Sequence, residues 1–557
     1  MTRPTPRHCA RHQARRILLS MLTLLLAGVF AELNAQATED TRARFAELEA
    51  RGIAVGEITL SINNIFDTSK PGENKSLYRF ANRIHITTRP SAIRSQLLFE
   101  PGDPIVAQNI EESERLLRSN PFIFDASIRV LRIEDGRADL LVETRDNWTL
   151  FPEIALSRSG GETRWTLGLE EDNILGTGSA VTVSRRSDDD RSSTNFAFSD
   201  RNVGRTWIAL DLRYRDSDDG EARRFRVAQP FYSLQSRVSA GFDAITEDRE
   251  EPLFSRGSEV GRFRQDERRL NAWWGMSNGL VAGWTTRYRF GVVVSENRFD
   301  VPEDEPPTPL IPTDRDLRYP FVSIERVEDR FEKVQNFNQI MQTEDLFLGR
   351  SYSLSLGYAG TGIGADRSAF IVNAAGTTNF GNPSEALLTL SGRLSGRVES
   401  GTVRNGRARI DARYVRRQSA RRSAFVGTRI ELGKNLDVDR PIVLGGRTGL
   451  RGYDRAFGNG DASALFTVEQ RFFTDWFPWR LFRVGGAVFA DVGRTWGEDV
   501  TGRKDSRWLA DVGIGLRLGN ARGNNNTVFH LDFAKPLESG PDIDSGLQIS
   551  FEAKRGF

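Results

Sequence analysis

Cysteine is nearly absent: the only thiol in 557 residues is Cys9, near the N-terminus. No small-residue lipobox surrounds it, which argues against a lipid anchor. Histidine is almost as scarce. Past the first 37 residues only His85 and His530 remain, too few and too far apart for a histidine metal cluster. Lysine is confined to Lys70, Lys75, Lys333, Lys434, Lys504, Lys535 and Lys554, so the basic charge is overwhelmingly arginine. The formal net charge is only +2, which gives no case for nucleic acid. No Gly-x-Ser-x-Gly elbow occurs, and the glycine-containing residues 427–434 lack the spacing of a phosphate loop. No catalytic residue, metal or cofactor is therefore expected, and the protein reads as a non-enzyme.

Long apolar runs are also missing after the first thirty residues. No later stretch approaches the ~20 apolar residues of a spanning helix, and the mean hydropathy is negative. These absences fit a soluble protein, but they equally fit a membrane β-barrel. In a barrel, lipid-facing apolar residues alternate with polar lumen residues, and the average is unremarkable.

The N-terminus carries Arg3, Arg7, Arg11, Arg15 and Arg16, then an apolar run over residues 17–30, then small residues ending at Ala35 and Ala37. That order is a secretory signal over residues 1–37, with an uncleaved anchor as the alternative. Removal of the signal takes Cys9 with it and leaves a mature chain without disulfides. Roughly 520 mature residues exceed one core, so at least two domains are expected.

All ten tryptophans lie between Trp148 and Trp508, a composition step that marks a boundary near Asp146-Asn147. Residues 38–53 read as a charged linker or short helix. Residues 54–146 read β-α-α-β-β: a strand near Ile58, a helix over 90–98, a helix over 107–118, and two strands about an Asp135-Gly136 turn. From 147 to 557, short alternating segments recur without helices, as in Trp165-Thr-Leu-Gly-Leu and Ser353-Leu-Ser-Leu-Gly-Tyr. That is an all-β sandwich or barrel, and length plus export select the barrel. Up to twenty segments can be marked. Residues 247–264 and 297–317 read as long outer loops, and 328–350 as an overlong inner turn. Asp188 to Asp190 suggest either calcium or, more simply, a solvated acidic loop. Trp476-Phe-Pro-Trp479 looks like an interfacial aromatic belt.

Two motifs carry a family resemblance. Leu450-Arg451-Gly452-Tyr453 sits in a glycine-rich segment, and Phe489-Ala-Asp491-Val-Gly493-Arg-Thr-Trp follows it. With Glu170-Glu-Asp-Asn-Ile-Leu-Gly-Thr-Gly178, Asp511-Val-Gly-Ile-Gly and Leu531-Asp-Phe-Ala-Lys-Pro, they resemble the BamA/TamA-like superfamily of outer-membrane assembly and translocation barrels, the bacterial surface antigen type. The N-terminal module is similar to a single POTRA domain.

The resemblance implies a mainly β fold: a transmembrane antiparallel barrel of sixteen strands, with both ends in the periplasm, behind a small periplasmic α+β domain. It implies a loop folded into the lumen, with Arg451 against Asp491. Alternation sends Phe489, Asp491 and Gly493 to one face, and Gly493 is expected to leave room for the guanidinium. It also implies a lateral seam between first and last strands, at Leu150, Ile154, Leu547, Ile549, Phe551 and Phe557. Partner strands are expected at the module's sheet edge, near Ala126, Ile128 and Val130.

The function so implied is to assist protein insertion or assembly in the bacterial outer membrane. A pore secreting a partner polypeptide through the lumen, or a structural barrel, are the alternatives. Expected partners are outer-membrane lipid, lipopolysaccharide, unfolded polypeptides and periplasmic accessory proteins. Arginine suits lipopolysaccharide phosphates, although host base composition alone also explains its excess.

Overall fold

A computed structural model describes residues 40–303, 310–335, 337–340, 343–504, 507–520 and 527–555. The proposed signal, residues 1–37, lies outside them.

The N-terminal module begins with helix α1 (Asp40–Ala50), followed by strand β1 (Ala54–Asn63) and helices α2 (Ser76–Ile84), α3 (Pro90–Arg94) and α4 (Ala107–Arg118). Strands β2 (Ile123–Glu134) and β3 (Arg137–Asp146) complete it. The sheet order is β1-β3-β2, with β1 parallel and β2 antiparallel to the central strand. Asp135 and Gly136 both take positive φ, as a two-residue hairpin turn requires. Alternation places Val55, Ile58, Ile128, Leu140 and Val142 on one face, where they meet Ile93, Ile110 and Leu117 of the helices and Phe45 and Leu48 of α1. Proline at the first position of α3 suits a helix start. That helix stops at Arg94, earlier than its sequence pattern suggests, and α2 was not foreseen at all.

Among the described residues, twenty strands form a closed barrel that starts with Leu150–Ser159 and ends with Gln548–Arg555, neighbours that close the ring. Both ends of the barrel therefore lie on the module's side. The sixteen strands implied by resemblance are too few. Each of the twenty segments has its own ladder and adds to the wall.

The barrel exterior is apolar, as lipid demands. Trp165, Leu167 and Leu169 are exposed on one strand, Tyr288, Phe290 and Val292 on another, and Val512, Ile514 and Leu516 on a third. Arginines and carboxylates such as Arg224–Asp243 and Arg287–Glu325 face inward. Strand lengths are uneven. The last strand has 8 residues and the first 10, whereas Ser258–Val281, on the far wall, has 24. Roughly 9 to 11 residues cross a bilayer, so the closure is built at the minimum.

One loop reading is corrected and another refined. Residues 247–264 form the tip of a continuous hairpin, Val238–Ser255 with Ser258–Val281, turning at Arg256 and Gly257. Its charge misled because alternation of acid and base above the lipid resembles a loop. Residues 328–350 do join two strands on the inner side, and within that long turn Phe331–Gln335 pairs with Thr343–Phe347, while Val334, Phe337 and Leu348 pack on Leu387, Val415 and Phe425 of the wall.

Candidate functional site

Strand Arg422–Lys434 ends and strand Ala462–Phe473 begins on the outer side, and the chain between them turns back into the lumen. A short ladder, Ile442–Leu444 with Gly458–Gly460, forms its neck. Two glycines are sterically required. A Cβ on Gly449, at φ 115°, would sit 2.1 Å from Leu465 Cδ2, and one on Gly452 would sit 2.7 Å from Asp511 Cβ. Leu450 carries positive φ without being glycine and is held there by burial among Leu444, Tyr453, Phe457, Leu465 and Leu509.

Arg451 is thereby delivered to the wall. Its Nε donates to Asp491 Oδ2 at 2.8 Å and its Nη2 to Asp491 Oδ1 at 3.1 Å, a bidentate fork. Nη1 donates to Glu469 Oε1 at 3.0 Å and lies 3.6 Å from Asp532 Oδ2. The guanidinium also lies over the Phe489 ring, 3.3 Å from its centroid. Thr467 Oγ1 donates to Asp491 at 2.7 Å, holding the acceptor in place. Glu469 is shared with Arg471, and Asp532 with Arg517 at 2.5 Å, so three cations and three carboxylates interlock in the lumen. The neighbours of Arg451 follow suit: Gly452 N–H donates to Asp511 Oδ2 at 3.0 Å, and the Tyr453 hydroxyl to Ala510 O at 3.0 Å.

Phe489 and Asp491 face the lumen together with Gly493, but the role expected of Gly493 is corrected. The space beside it is filled by Leu444 Cδ2, 2.8 Å from a notional Cβ, and by Leu450 Cδ1 at 3.3 Å. Glycine there admits the loop's apolar base, while the guanidinium lies elsewhere. Glu469 and Asp532 were missed. The signal for Asp532 was present in Leu531-Asp-Phe, where alternation turns it inward from flanking apolar residues.

Further ties hold the loop all round. Arg315 grips Asp439 at 2.6 Å and Arg397 grips Asp437 at 2.7 Å. Arg455 N–H donates to Gly160 O at 2.9 Å, in the first outer hairpin, and its side chain pairs with Asp190 at 2.6 Å and with Glu162. Asp188 pairs with Arg164, so two carboxylates of the acidic run, Asp188 and Asp190, meet arginine. Asn459 Nδ2 donates to Phe254 O at 3.0 Å on the long hairpin, whose Arg256 pairs with Asp542 of the last outer loop.

At the seam, Leu150, Leu547 and Ile549 are exposed, and Phe551 stacks on Phe529 with centroids 6.1 Å apart. Ile154 lies in the first strand with its side chain outside the described residues, as Phe557 is altogether.

The module's sheet edge differs from expectation. Ala126 and Ile128 are buried in the module core with Val130 packed against it. The outward backbone at this edge is already engaged: Ala126 O accepts from Arg118 Nη1 at 2.6 Å, and Ile128 N–H donates to Glu114 Oε1 at 2.7 Å. Helix α4 therefore blocks the edge at these residues.

The same helix lies against the inner mouth of the barrel. Glu112 accepts from Leu234 N–H at 2.8 Å, Arg118 forks onto Asp345 at 2.7 and 2.8 Å, and Lys333 reaches Glu114 at 2.6 Å. Nearby, Arg89 N–H donates to Gly176 O at 2.9 Å and Asn173 Nδ2 to Thr88 Oγ1 at 2.9 Å. A cavity of about 1120 Å³ lies between α4 and the inner face of the barrel wall, lined by Arg115, Arg201, Arg213, Arg287 and Arg413 among others. Burial works against the charge of Arg118, yet Asp345 outweighs it and holds that guanidinium above its usual pKa. Burial raises Glu112. Burial, then repulsion from Glu170 and Glu171, pushes Asp172 in the first inner turn up to about 7.

His85 pairs with Asp146 at 3.0 Å, and among the described residues no cluster of three potential metal ligands occurs.

Residues 349–554 match the model of the Omp85 superfamily domain. No curated protein matches the chain. Among solved structures, the chain is similar to CdiB from Escherichia coli at 13% identity and a TM-score of 0.44, covering 100% of both chains. It is similar to CdiB from Acinetobacter baumannii at 13% and 0.44, covering 90% of this chain and 74% of that one. BamA from Haemophilus ducreyi lacking POTRA domains 1-3 gives 12% and 0.37, covering 90% and 84%.

Proposed function

The chain carries an Omp85 superfamily domain in an outer-membrane β-barrel, and from that premise we propose that it assists the insertion or assembly of other proteins in the outer membrane through its lateral seam. The observation that carries this reading is the occupied lumen. The Arg451 loop crosses the outer half, tied to the wall through Asp437, Asp439, Arg451, Arg455 and Asn459, and α4 lies against the inner mouth, so transit along the axis would require both to move. The seam requires less. Its strands have 8 and 10 residues, at or below the roughly 9 to 11 that span a bilayer, and a short hydrophobic wall thins the lipid beside it at a modest cost. An opened seam presents unpaired strand edges on which an incoming strand can pair.

In this reading residues 54–146 are a POTRA-like receiving module and 147–557 the barrel. Substrate meets the module elsewhere than at Ala126 and Ile128, whose edge is taken. The Arg451 loop braces the wall, its arginine serving no catalytic step. Lipopolysaccharide phosphates suit the arginines at the outer strand ends.

The test is a disulfide placed across Leu150–Ser159 and Gln548–Arg555. Oxidation is expected to abolish insertion of test barrels into proteoliposomes, and reduction to restore it. Undiminished insertion by the oxidised protein would exclude the seam as the route.

A further inference from the structure

Helix α2 has three distinct faces. Tyr78, Ala81 and Asn82 face the protein: Tyr78 is buried beside Phe66, and Asn82 exchanges hydrogen bonds with the Phe66 backbone at 3.1 and 2.7 Å. Arg79 and Arg83, with Lys75 just before the helix, form a second, basic face. The third is apolar and turned away from the protein. Leu77, Phe80 and Ile84, spaced as one helical stripe, are 58%, 59% and 48% exposed, and Ile86 just beyond is 46% exposed. A small soluble module gains nothing by leaving three such side chains in water; burying each is worth more than most surface contacts.

The position of the helix indicates what covers that stripe. The Tyr78 hydroxyl donates to the carbonyl of Trp479 at 2.8 Å, and Tyr78 belongs to a cluster against which Trp148 and Leu481 pack. Trp479 and Trp476 are themselves 71% and 65% exposed, on the inner turn that precedes strand Phe482–Trp496. Trp148 leads into the first barrel strand. The helix thus continues the barrel's inner aromatic rim, where indole rings settle at headgroup depth.

We propose that α2 is an interfacial membrane helix: Leu77, Phe80 and Ile84 lie in the periplasmic leaflet, while Lys75, Arg79 and Arg83 reach its phosphates. An amphipathic helix of this kind sinks roughly 5 to 10 Å below the headgroups, with its basic side chains snorkelling outward. The occupant is a phospholipid surface because the stripe joins a lipid-facing rim and its flank carries the charge that phosphate attracts. Tyr78 belongs to a cluster with both Leu481 and Trp148, so the helix would press on the bilayer beneath the part of the wall that includes the first strand.

Single cysteines test this in the full chain carrying Cys9→Ser, which leaves no competing thiol. Leu77→Cys, Phe80→Cys, Ile84→Cys and Arg79→Cys are each labelled with an environment-sensitive dye and placed in phospholipid nanodiscs. Lipids brominated near the headgroup end of the acyl chain are expected to quench the dyes at 77, 80 and 84 strongly, and the dye at 79 several-fold less. Absence of quenching at all four positions would overturn the proposal and leave the stripe to a protein partner. Equal quenching at all four would overturn it as well, since a helix lying in the interface must distinguish its faces.

Discussion

Arg451 has three carboxylates within 3.6 Å and an aromatic face, whereas Asp491 meets this guanidinium and the Thr467 hydroxyl and stands opposite a second carboxylate, Asp511, on the next strand. The two partners should therefore respond unequally to removal. Arg451→Ala leaves Asp491, Glu469 and Asp532 confined with only Arg471 and Arg517 to balance them, at a cost on the order of 3 kcal/mol. Asp491→Ala leaves Arg451 with Glu469, and is expected to cost less. Measured as urea unfolding in detergent micelles, the double mutant should lose about 1 kcal/mol or more less than the sum of the singles. Additive losses would refute energetic coupling between the two side chains. The Arg451 and Asp491 pair was legible because both stand in distinctive motifs with glycine around them. Glu469 was not legible, because Thr467-Val-Glu-Gln-Arg471 has the ordinary alternation of any barrel strand, and only the folded loop reveals which inward carboxylate it meets.

Elements at the inner mouth hold the module through hydrogen bonds and ion pairs, contacts that titrate and can be cut. Asp172, in the turn that packs on the α2 to α3 segment, keeps its proton in the folded protein up to about pH 7, while the unfolded chain releases it near 3.8. Between those values the unfolded state binds fewer protons, so this contribution to stability is full below about pH 4, declines as pH rises and is gone above about 7. Thermal midpoints in micelles should fall across that window, and Asp172→Asn should flatten the decline; an identical slope in the variant would refute the assignment. The second hairpin, residues 331–347, grips α4 through Asp345 and Lys333. Replacing it with a short turn should widen the spin-label distance distribution between α4 and the barrel rim. An unchanged distribution would mean the other turns suffice.

Two of the elements that were not legible in the sequence share a reason. Helix α2 has its apolar stripe on the exposed side, so periodicity that normally announces a core was not attributed to one. The hairpin tip over 247–264 is charged on both faces, because above the lipid neither face needs to be apolar.

For the molecule as a whole, the N-terminal module and the barrel were legible in the chain's composition: a tryptophan-free stretch, then up to twenty alternating segments where resemblance suggested sixteen. Strand alternation is a local property and survives translation into structure. What the sequence did not disclose is how distant parts meet. The docking of α4 on the mouth and the engagement of the long hairpin with the lumen loop depend on surfaces brought together only by closure of the ring.

That closure bears on the cell's defences. Among the described residues the lumen loop and the hairpin tip lie over the outer mouth and a helix crosses the inner one, so the barrel is expected to admit a bulky hydrophilic antibiotic poorly. A bacterium can carry many copies of a wide barrel and still keep the permeability barrier that its outer membrane exists to provide.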